Sequence, residues 1–235
     1  MPFTSVDTTT VAPTRLILAP WGQAKEGKST LALSFPEPVY LFNMDHSYKE
    51  LLGNFPGKEI YVADYQLTED YDTNLKSVEQ FRADWIEAVN QAQARGGTVI
   101  QDKSSQFWAL VGPTLKDKAH RKRMERNSNA REMQTDYALP NSFMDQVLKR
   151  PYHFERVNAV YIMGAKERYS ENGQALGTYL PHGWGDTESV VQVVLGMSTI
   201  KGQVMGTINR CRFGKAFEGM QIADPTYDTL MAVLS

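Results

Sequence analysis

Short apolar runs recur along the chain and alternate with segments whose apolar residues follow helical spacing. Runs of this length, bounded by Gly, Pro or polar residues, predict β-strands. The predicted strands are residues 14–20, 39–45, 58–65, 98–102 and 158–165. Strands that alternate with helices indicate an α/β fold, with a mainly parallel central sheet flanked by helices.

The strongest helical pattern spans residues 78–97, where Phe81, Trp85 and Ala92 share one face and Gly96 follows. Apolar residues at this spacing predict an amphipathic helix, and the glycine predicts its end. Further helices are predicted at residues 28–35, at 139–155 with a break near Pro151, and at 224–234 with Asp224 and Pro225 as its cap.

Residues 189–199 and 204–214 are β-rich runs joined by a glycine-containing connection, and the second run includes the alternating stretch 207–213. This pattern predicts an antiparallel pair, so we expect antiparallel strands at the C-terminal end of the sheet. Cys211 lies in the second run, with no second cysteine in the chain. It is interpreted as an ordinary strand residue, because no His or second Cys accompanies it.

The chain has 235 residues with a net charge of −2, and 42% of them are hydrophobic. This composition is typical of soluble globular proteins, and no run reaches the roughly 18 apolar residues of a membrane helix. We therefore expect no membrane partner and a cytoplasmic location. Residues 1–13 are polar and lack the layout of a secretion signal, so they are expected to form a flexible tail; residues 14–235 are expected to form one domain.

The sequence G-x-x-x-x-G-K-S runs from Gly22 to Ser29, directly after the first predicted strand and before the first predicted helix. In this context it is typical of a phosphate-binding loop (P-loop), whose backbone N–H groups surround the phosphates. Lys28 would reach the β- and γ-phosphates, and the Ser29 hydroxyl would bind Mg²⁺. The predicted ligands are ATP and Mg²⁺, and the predicted nucleotide-binding residues are Gly22, Gln23, Ala24, Lys25, Glu26, Gly27, Lys28, Ser29 and Thr30.

Two acidic residues follow predicted strands and are candidates for the chemistry around the metal. Asp102 ends the run 98–102 and would hold the water shell of Mg²⁺, although it could instead cap a helix that begins near Ser104. Asp45 ends the run 39–45 and would polarise the attacking water, or else cap a turn or helix.

The order of these parts is similar to that of RecA-like ATPase cores: the P-loop segment, then "VYLFNMDHSYKEL", "TVIQD", "AVYIMGAKERYSENG" and "INRCRFGKAFEG". More narrowly, the chain resembles the short phage-encoded RecA-like ATPases associated with single-strand annealing and recombination. The resemblance implies a RecA-like P-loop NTPase fold, a phage protein in a bacterial host, and a homo-oligomer, either ring or filament, with ATP between subunits. It also implies single-stranded DNA as a partner, and a single-strand DNA-binding protein as a further one.

The same resemblance implies roles for particular residues. Asp45 would activate water, and Asp102 would be the Walker B aspartate. Residues 163–185 would hold a sensor, with Lys166 as its candidate, followed by a mobile loop that contacts DNA. Arg210 and Arg212 would reach the ATP of the neighbouring subunit as arginine fingers.

Positive charge is concentrated in residues 112–131, which hold seven Lys or Arg against two acids. Such a segment favours phosphate binding, although many charge runs are solvated helices or loops. Residues 165–188 read as a long glycine-containing loop whose aromatic residues either stack on bases or pack against the sheet. The predicted nucleic-acid contacts are Lys116, Lys118, Arg121, Lys122, Arg123, Lys166, Arg168, Tyr169, Tyr179 and Trp184.

These observations predict a DNA-stimulated ATPase that binds single-stranded DNA and promotes annealing or recombination. A P-loop nucleoside or small-molecule kinase is an alternative, with residues 119–131 as its lid. A helicase- or packaging-type motor would share the DNA stimulation but translocate along the strand. A scaffold that holds ATP without hydrolysing it also remains open.

Overall fold

A computed structural model describes residues 14–44 and 48–235. The predicted tail 1–13 and the candidate base Asp45 lie outside the described residues. The strands are β1 (Ile17–Trp21), β2 (Val39–Asn43), β3 (Ile60–Asp64), β4 (Thr98–Gln101), β5 (Asn158–Tyr161), β6 (Gly164–Tyr169), β7 (Ala175–His182), β8 (Val193–Ile200), β9 (Gln203–Cys211) and β10 (Gln221–Ala223). The α-helices are α1 (Lys28–Leu33), α2 (Lys49–Leu52), α3 (Tyr71–Arg95), α4 (Ser104–Met124), α5 (Ala138–Lys149), α6 (Thr187–Val190) and α7 (Tyr227–Leu234).

Eight strands form one sheet in the order β10-β9-β8-β1-β5-β4-β2-β3. The strands from β8 to β3 in that order pair in parallel, whereas β9 and β10 pair antiparallel at one edge. The predicted α/β fold, with a mainly parallel sheet and antiparallel strands from the C-terminal part of the chain, is therefore confirmed. Because parallel strands end at the same edge, the residues after β1, β2, β3, β4 and β5 meet there.

The parallel strands are apolar on both faces because helices cover both sides of the sheet. One face packs against α3, α4 and α5, with Phe81 in contact with Phe42 and Phe107 at ring-centroid distances of 5.4 and 4.1 Å. The other face packs against α1 and α7 through residues such as Leu31 and Leu230. The fold is thus held by two apolar layers, and the P-loop helix belongs to the second.

Helix α3 starts seven residues before the predicted helix 78–97. Asp70 caps it by accepting a 2.7 Å hydrogen bond from the Thr73 backbone N–H, and its first turns are polar, so their pattern is weak. The predicted end is confirmed, since Gly96 adopts a left-handed conformation with φ of 84°.

The cap of the last helix is not the predicted pair Asp224 and Pro225. Helix α7 is capped by Thr226, whose hydroxyl accepts a 3.3 Å hydrogen bond from the Thr229 backbone N–H. Threonine is a better N-cap than proline because its oxygen can take a hydrogen bond from the first turn.

The segment 165–188 is not a loop. Strands β6 and β7 form a separate two-stranded antiparallel hairpin, followed by the short helix α6. The hairpin has an irregular register between Glu167 and Tyr169, opposite Gly177, whose φ of 64° favours glycine. No helix within the described ranges is long and apolar enough to cross a membrane.

Candidate nucleotide-binding site

The P-loop connects β1 to α1, and its shape requires glycine at two positions. At Gly22 the chain passes so close to β8 that a Cβ atom would lie 2.6 Å from the Met197 carbonyl oxygen. Gly27 has a φ of 79°, in the left-handed region, and immediately precedes α1. No side chain caps the first turn of α1, so its N–H groups are not engaged by a capping residue.

Polar side chains of the loop contact its own backbone. The Lys28 ammonium donates to the Gln23 carbonyl, and the Gln23 N–H donates to the Glu26 carboxylate. Burial lowers the pKa of Lys28 and is the largest influence on it, while the nearby Glu26 and Asp102 carboxylates act in the opposite direction. A partly buried cation in this loop would interact more strongly with a bound phosphate than one in bulk water.

The two predicted metal-site residues lie together. Ser29 Oγ on α1 is 3.4 Å from Asp102 Oδ2, although 73 residues separate them in sequence. Asp102 directly follows β4, is only 3% exposed, and its N–H donates to the Phe42 carbonyl of the adjacent strand. Helix α4 begins at Ser104 with no side-chain cap, so the structure gives no support to Asp102 as a cap.

A further polar pair stands at the same edge and escaped the sequence interpretation. Asn43 ends β2 and is fully buried, and its side-chain N–H donates a 2.6 Å hydrogen bond to Asp64 Oδ1 at the end of β3. Strand β2 lies between β3 and β4, so this pair neighbours Asp102. Asn43 is a polar residue at the end of an otherwise apolar strand, and this pattern could have identified it as a candidate site residue.

The β6–β7 hairpin rises from this edge, two residues after β5. Its base is tied to β1 because the Met163 N–H donates to the Pro20 carbonyl at 2.9 Å. The predicted contact residues Lys166, Arg168, Tyr169 and Tyr179 are exposed on the hairpin, with Tyr169 59% exposed.

Trp184 is not available for base stacking, which corrects that prediction. It is only 6% exposed, and its indole N–H donates to Asn141 Oδ1 at 3.2 Å. The alternative, that this aromatic residue packs the segment down, is the one observed. Stacking needs an accessible ring face, which Trp184 does not offer.

The basic segment 112–131 covers the C-terminal half of α4 and the residues that follow it. Carboxylates of the chain pair with four of its seven cations. The pairs are Lys116 with Glu132, Lys118 with Glu79, Arg121 with Asp117, and Arg123 with Asp136. Lys122 is exposed, and no ion pair within the described residues involves it. The end of α4 lies towards the same edge of the sheet as the P-loop, on the opposite face, since Arg121 stacks over the ring of Tyr71 in the first turn of α3.

The two predicted arginine fingers lie in different environments, away from the P-loop of their own chain. Arg212 follows β9, donates to the Ser189 carbonyl and lies 6.0 Å from the centroid of the Tyr152 ring. Arg210 pairs in register with Val194 at the beginning of β8, and its side chain is 64% exposed. Its only ion pair in the described part of the chain is with Glu188, at 3.7 Å.

A strand–loop–helix unit with this motif, followed by an aspartate beside the loop serine, defines a P-loop nucleotide-binding protein. A family model described as the AAA domain matches residues 14–198, and the chain belongs to this family of P-loop ATPases. No curated protein is significantly similar to the sequence.

Among solved structures, the chain is similar to that titled "Crystal structure of the RadB recombinase". The sequence identity is 13%, the alignment covers 90% of this chain and 87% of the other, and the TM-score is 0.47.

Proposed function

We propose that this chain hydrolyses ATP and couples hydrolysis to binding of single-stranded DNA, promoting annealing or recombination. The observation that carries the proposal is the position of the hairpin. Its cationic and aromatic residues rise from the edge at which the P-loop lies. Its base is hydrogen-bonded to Pro20 of β1, two residues before Gly22, where the P-loop begins. A shift of β1 on nucleotide binding would therefore reach the hairpin through one hydrogen bond.

In the proposed mechanism the loop N–H groups and Lys28 bind the phosphates, with help from the N-terminus of α1. Ser29 would bind Mg²⁺, which neutralises charge on the β- and γ-phosphates when present, and Asp102 would hold the water shell of the ion. The Asn43–Asp64 pair would order the polar edge beside Asp102, and Asp45 would polarise the attacking water.

Replacing Asp102 with asparagine is expected to lower kcat for ATP by about 100-fold. The variant lacks the carboxylate that would hold the water shell of Mg²⁺, so the metal would stabilise the charge that develops on the phosphates less well. The magnesium concentration for half-maximal turnover should rise as well. Affinity for ATP measured in EDTA should stay close to that of the unmodified protein, since the phosphate contacts remain.

Asp117→Asn is the matched control, since it removes a carboxylate from the surface of α4 whose ion-pair partner among the described residues is the neighbouring Arg121. Its turnover should remain within about twofold, because exposed ion pairs contribute little. An unchanged magnesium requirement in Asp102→Asn would contradict the metal role.

For DNA, we assign the main contacts to Lys166, Arg168, Tyr169 and Tyr179 on the hairpin, with Lys122 as a further cation. Exposed rings beside cations suit stacking on unpaired bases. The cations of α4 that already pair with carboxylates would contribute less, since their charge is compensated.

The double variant K166Q/R168Q is expected to bind an oligothymidine about tenfold more weakly, because two phosphate contacts are lost. The slope of log affinity against log salt should fall by about 1.4, which is two contacts at about 0.7 each for a single strand. Fluorescence anisotropy over a salt series measures both quantities.

The matched control is K118Q/R121Q, which removes two cations that are paired within α3 and α4. It should change neither the affinity nor the slope appreciably. If the control weakens DNA binding as much as the hairpin variant does, the surface lies on α4 and the hairpin assignment is wrong.

Arg210 is exposed and lies away from the P-loop of its own chain. We therefore also propose that the active form is a homo-oligomer. Arg210 would then reach the nucleotide of the neighbouring subunit in a ring or filament. Arg212 is a weaker candidate because its guanidinium is occupied by the Ser189 carbonyl and the Tyr152 ring.

A further inference from the structure

A groove of about 300 Å³ runs between α3 and α5, on the face of the sheet that does not carry the P-loop helix. Trp85 and Phe143 form part of its floor, and Arg82, Lys149 and Arg150 are among the residues at its rim. Arg150 follows the end of α5, just before the chain returns to the beginning of β5. The groove thus lies towards the edge opposite the nucleotide site.

Two of the rim cations have only neutral hydrogen-bond partners. Arg82 donates to Gln146 Oε1 at 3.2 Å, and Arg150 donates to Asn90 Oδ1 at 3.1 Å. Neither forms an ion pair with a carboxylate in the portion of the chain that is described, whereas Lys149 is neutralised by Asp145 at 2.6 Å. The groove therefore carries two uncompensated guanidinium groups, unlike the paired cations of α4.

One of these guanidinium groups also has an unused donor. Arg150 Nε is buried and has no hydrogen-bond partner among the described residues. Because this atom is closed to solvent, a ligand would pair instead with the terminal nitrogens of Arg150, one of which donates to Asn90 Oδ1 in an exposed position. A carboxylate suits a guanidinium because two parallel hydrogen bonds can form.

The floor of the groove suits an apolar side chain better than a nucleic-acid base. Trp85 is only 1% exposed and donates its indole N–H to the Val147 carbonyl at 3.1 Å, and Phe143 is 8% exposed. Neither ring face is open for base stacking, and the apolar surface that a side chain could contact is that of the half-buried Ile86, which also lines the groove. The volume is at the lower end for ligand pockets and fits one large apolar side chain with its neighbours.

We propose that this groove binds an acidic peptide segment of a partner protein, with one large apolar side chain set between carboxylates. The apolar side chain lies on the floor, and the flanking carboxylates pair with Arg82 and Arg150. This site is separate from the P-loop, so peptide binding requires neither nucleotide nor ATP hydrolysis.

The test is fluorescence anisotropy with the labelled peptide Asp-Glu-Asp-Phe-Asp-Glu-Asp on the full chain without nucleotide. We expect saturable binding that weakens about tenfold in Arg82→Gln, which removes an exposed charge at the rim. A peptide with alanine in place of phenylalanine should bind about tenfold more weakly than the original. Thermal denaturation verifies that each variant is folded.

Arg126→Gln is the control, because it removes an exposed arginine near the end of α4. Equal weakening by Arg126→Gln, or no saturable binding of the original peptide, would overturn the proposal. Competition by an oligothymidine that depends on Arg82 would also overturn it and make the groove a nucleic-acid surface. The peptide assay contains no nucleotide, so its result is independent of ATP turnover. A protein without ATPase activity would contradict the proposed function and leave the peptide-binding result unaffected.

Discussion

Replacing Lys28 with alanine is expected to lower ATP turnover by about 1,000-fold or more, with or without DNA. The reason is the position of the Lys28 ammonium, which lies within the P-loop and interacts electrostatically with the Glu26 and Asp102 carboxylates. Burial is the largest influence on the pKa of this group and lowers it. A phosphate contact in such a place is worth more than one in bulk water. Steady-state phosphate release measures the effect.

The control is Lys25→Asn, which removes a cation from the same loop. Lys25 is exposed and has a φ of 66°, a left-handed conformation that asparagine tolerates. Turnover by this variant should stay within about threefold, because its charge lies in water. If Lys28→Ala keeps more than about a tenth of the activity while the protein stays folded, the P-loop is not the catalytic site.

Replacing Arg210 with alanine is expected to lower turnover by about 1,000-fold, the effect of removing an arginine finger. The Arg210 side chain extends into solvent from β9 and is poorly placed to stabilise its own fold. Its removal should therefore leave the melting temperature nearly unchanged. Arg212→Ala is the matched control just after the same strand, and it should affect stability more than turnover because it loses contacts with Ser189 and Tyr152.

Mixing the two inactive variants tests whether Arg210 acts on a neighbouring subunit. A site formed by the P-loop of Arg210→Ala and the Arg210 side chain of Lys28→Ala contains both groups. In randomly mixed closed oligomers about a quarter of the interfaces are of this kind, so about a quarter of the normal activity should return. No recovery on mixing at exchange equilibrium would contradict action between subunits.

The central sheet and the P-loop could be predicted from the sequence because their signals are local. Apolar runs such as 39–44 and 98–102 are buried on both faces, and the P-loop motif lies between a strand and a helix as expected. The sequence indicates the start of helix α4 near Ser104 but not its length, since Gly112 and Pro113 interrupt the pattern and the second half is highly charged. The hairpin has the sequence pattern of a loop, because both of its faces are exposed and its polarity does not alternate.

The candidate site likewise has residues that local sequence predicts and contacts that depend on long-range packing. Ser29 and Asp102 could be paired because a motif and a strand end each suggested a role. Contacts such as Lys118 with Glu79, 39 residues apart, depend on how α3 packs on α4 and leave no trace in local sequence. The burial of Trp184 likewise depends on a long-range partner, Asn141. Long-range pairing therefore decided which predicted contact residues stay accessible.

ATP turnover with and without oligothymidine, for the unmodified protein and for K166Q/R168Q, tests the coupling of nucleotide to DNA most directly. The account predicts that DNA raises the rate of the unmodified protein several-fold, and that the hairpin variant keeps its DNA-free rate but loses the stimulation at the same DNA concentration. A rate that does not respond to DNA would contradict the account and direct attention to a small-molecule acceptor of the γ-phosphate.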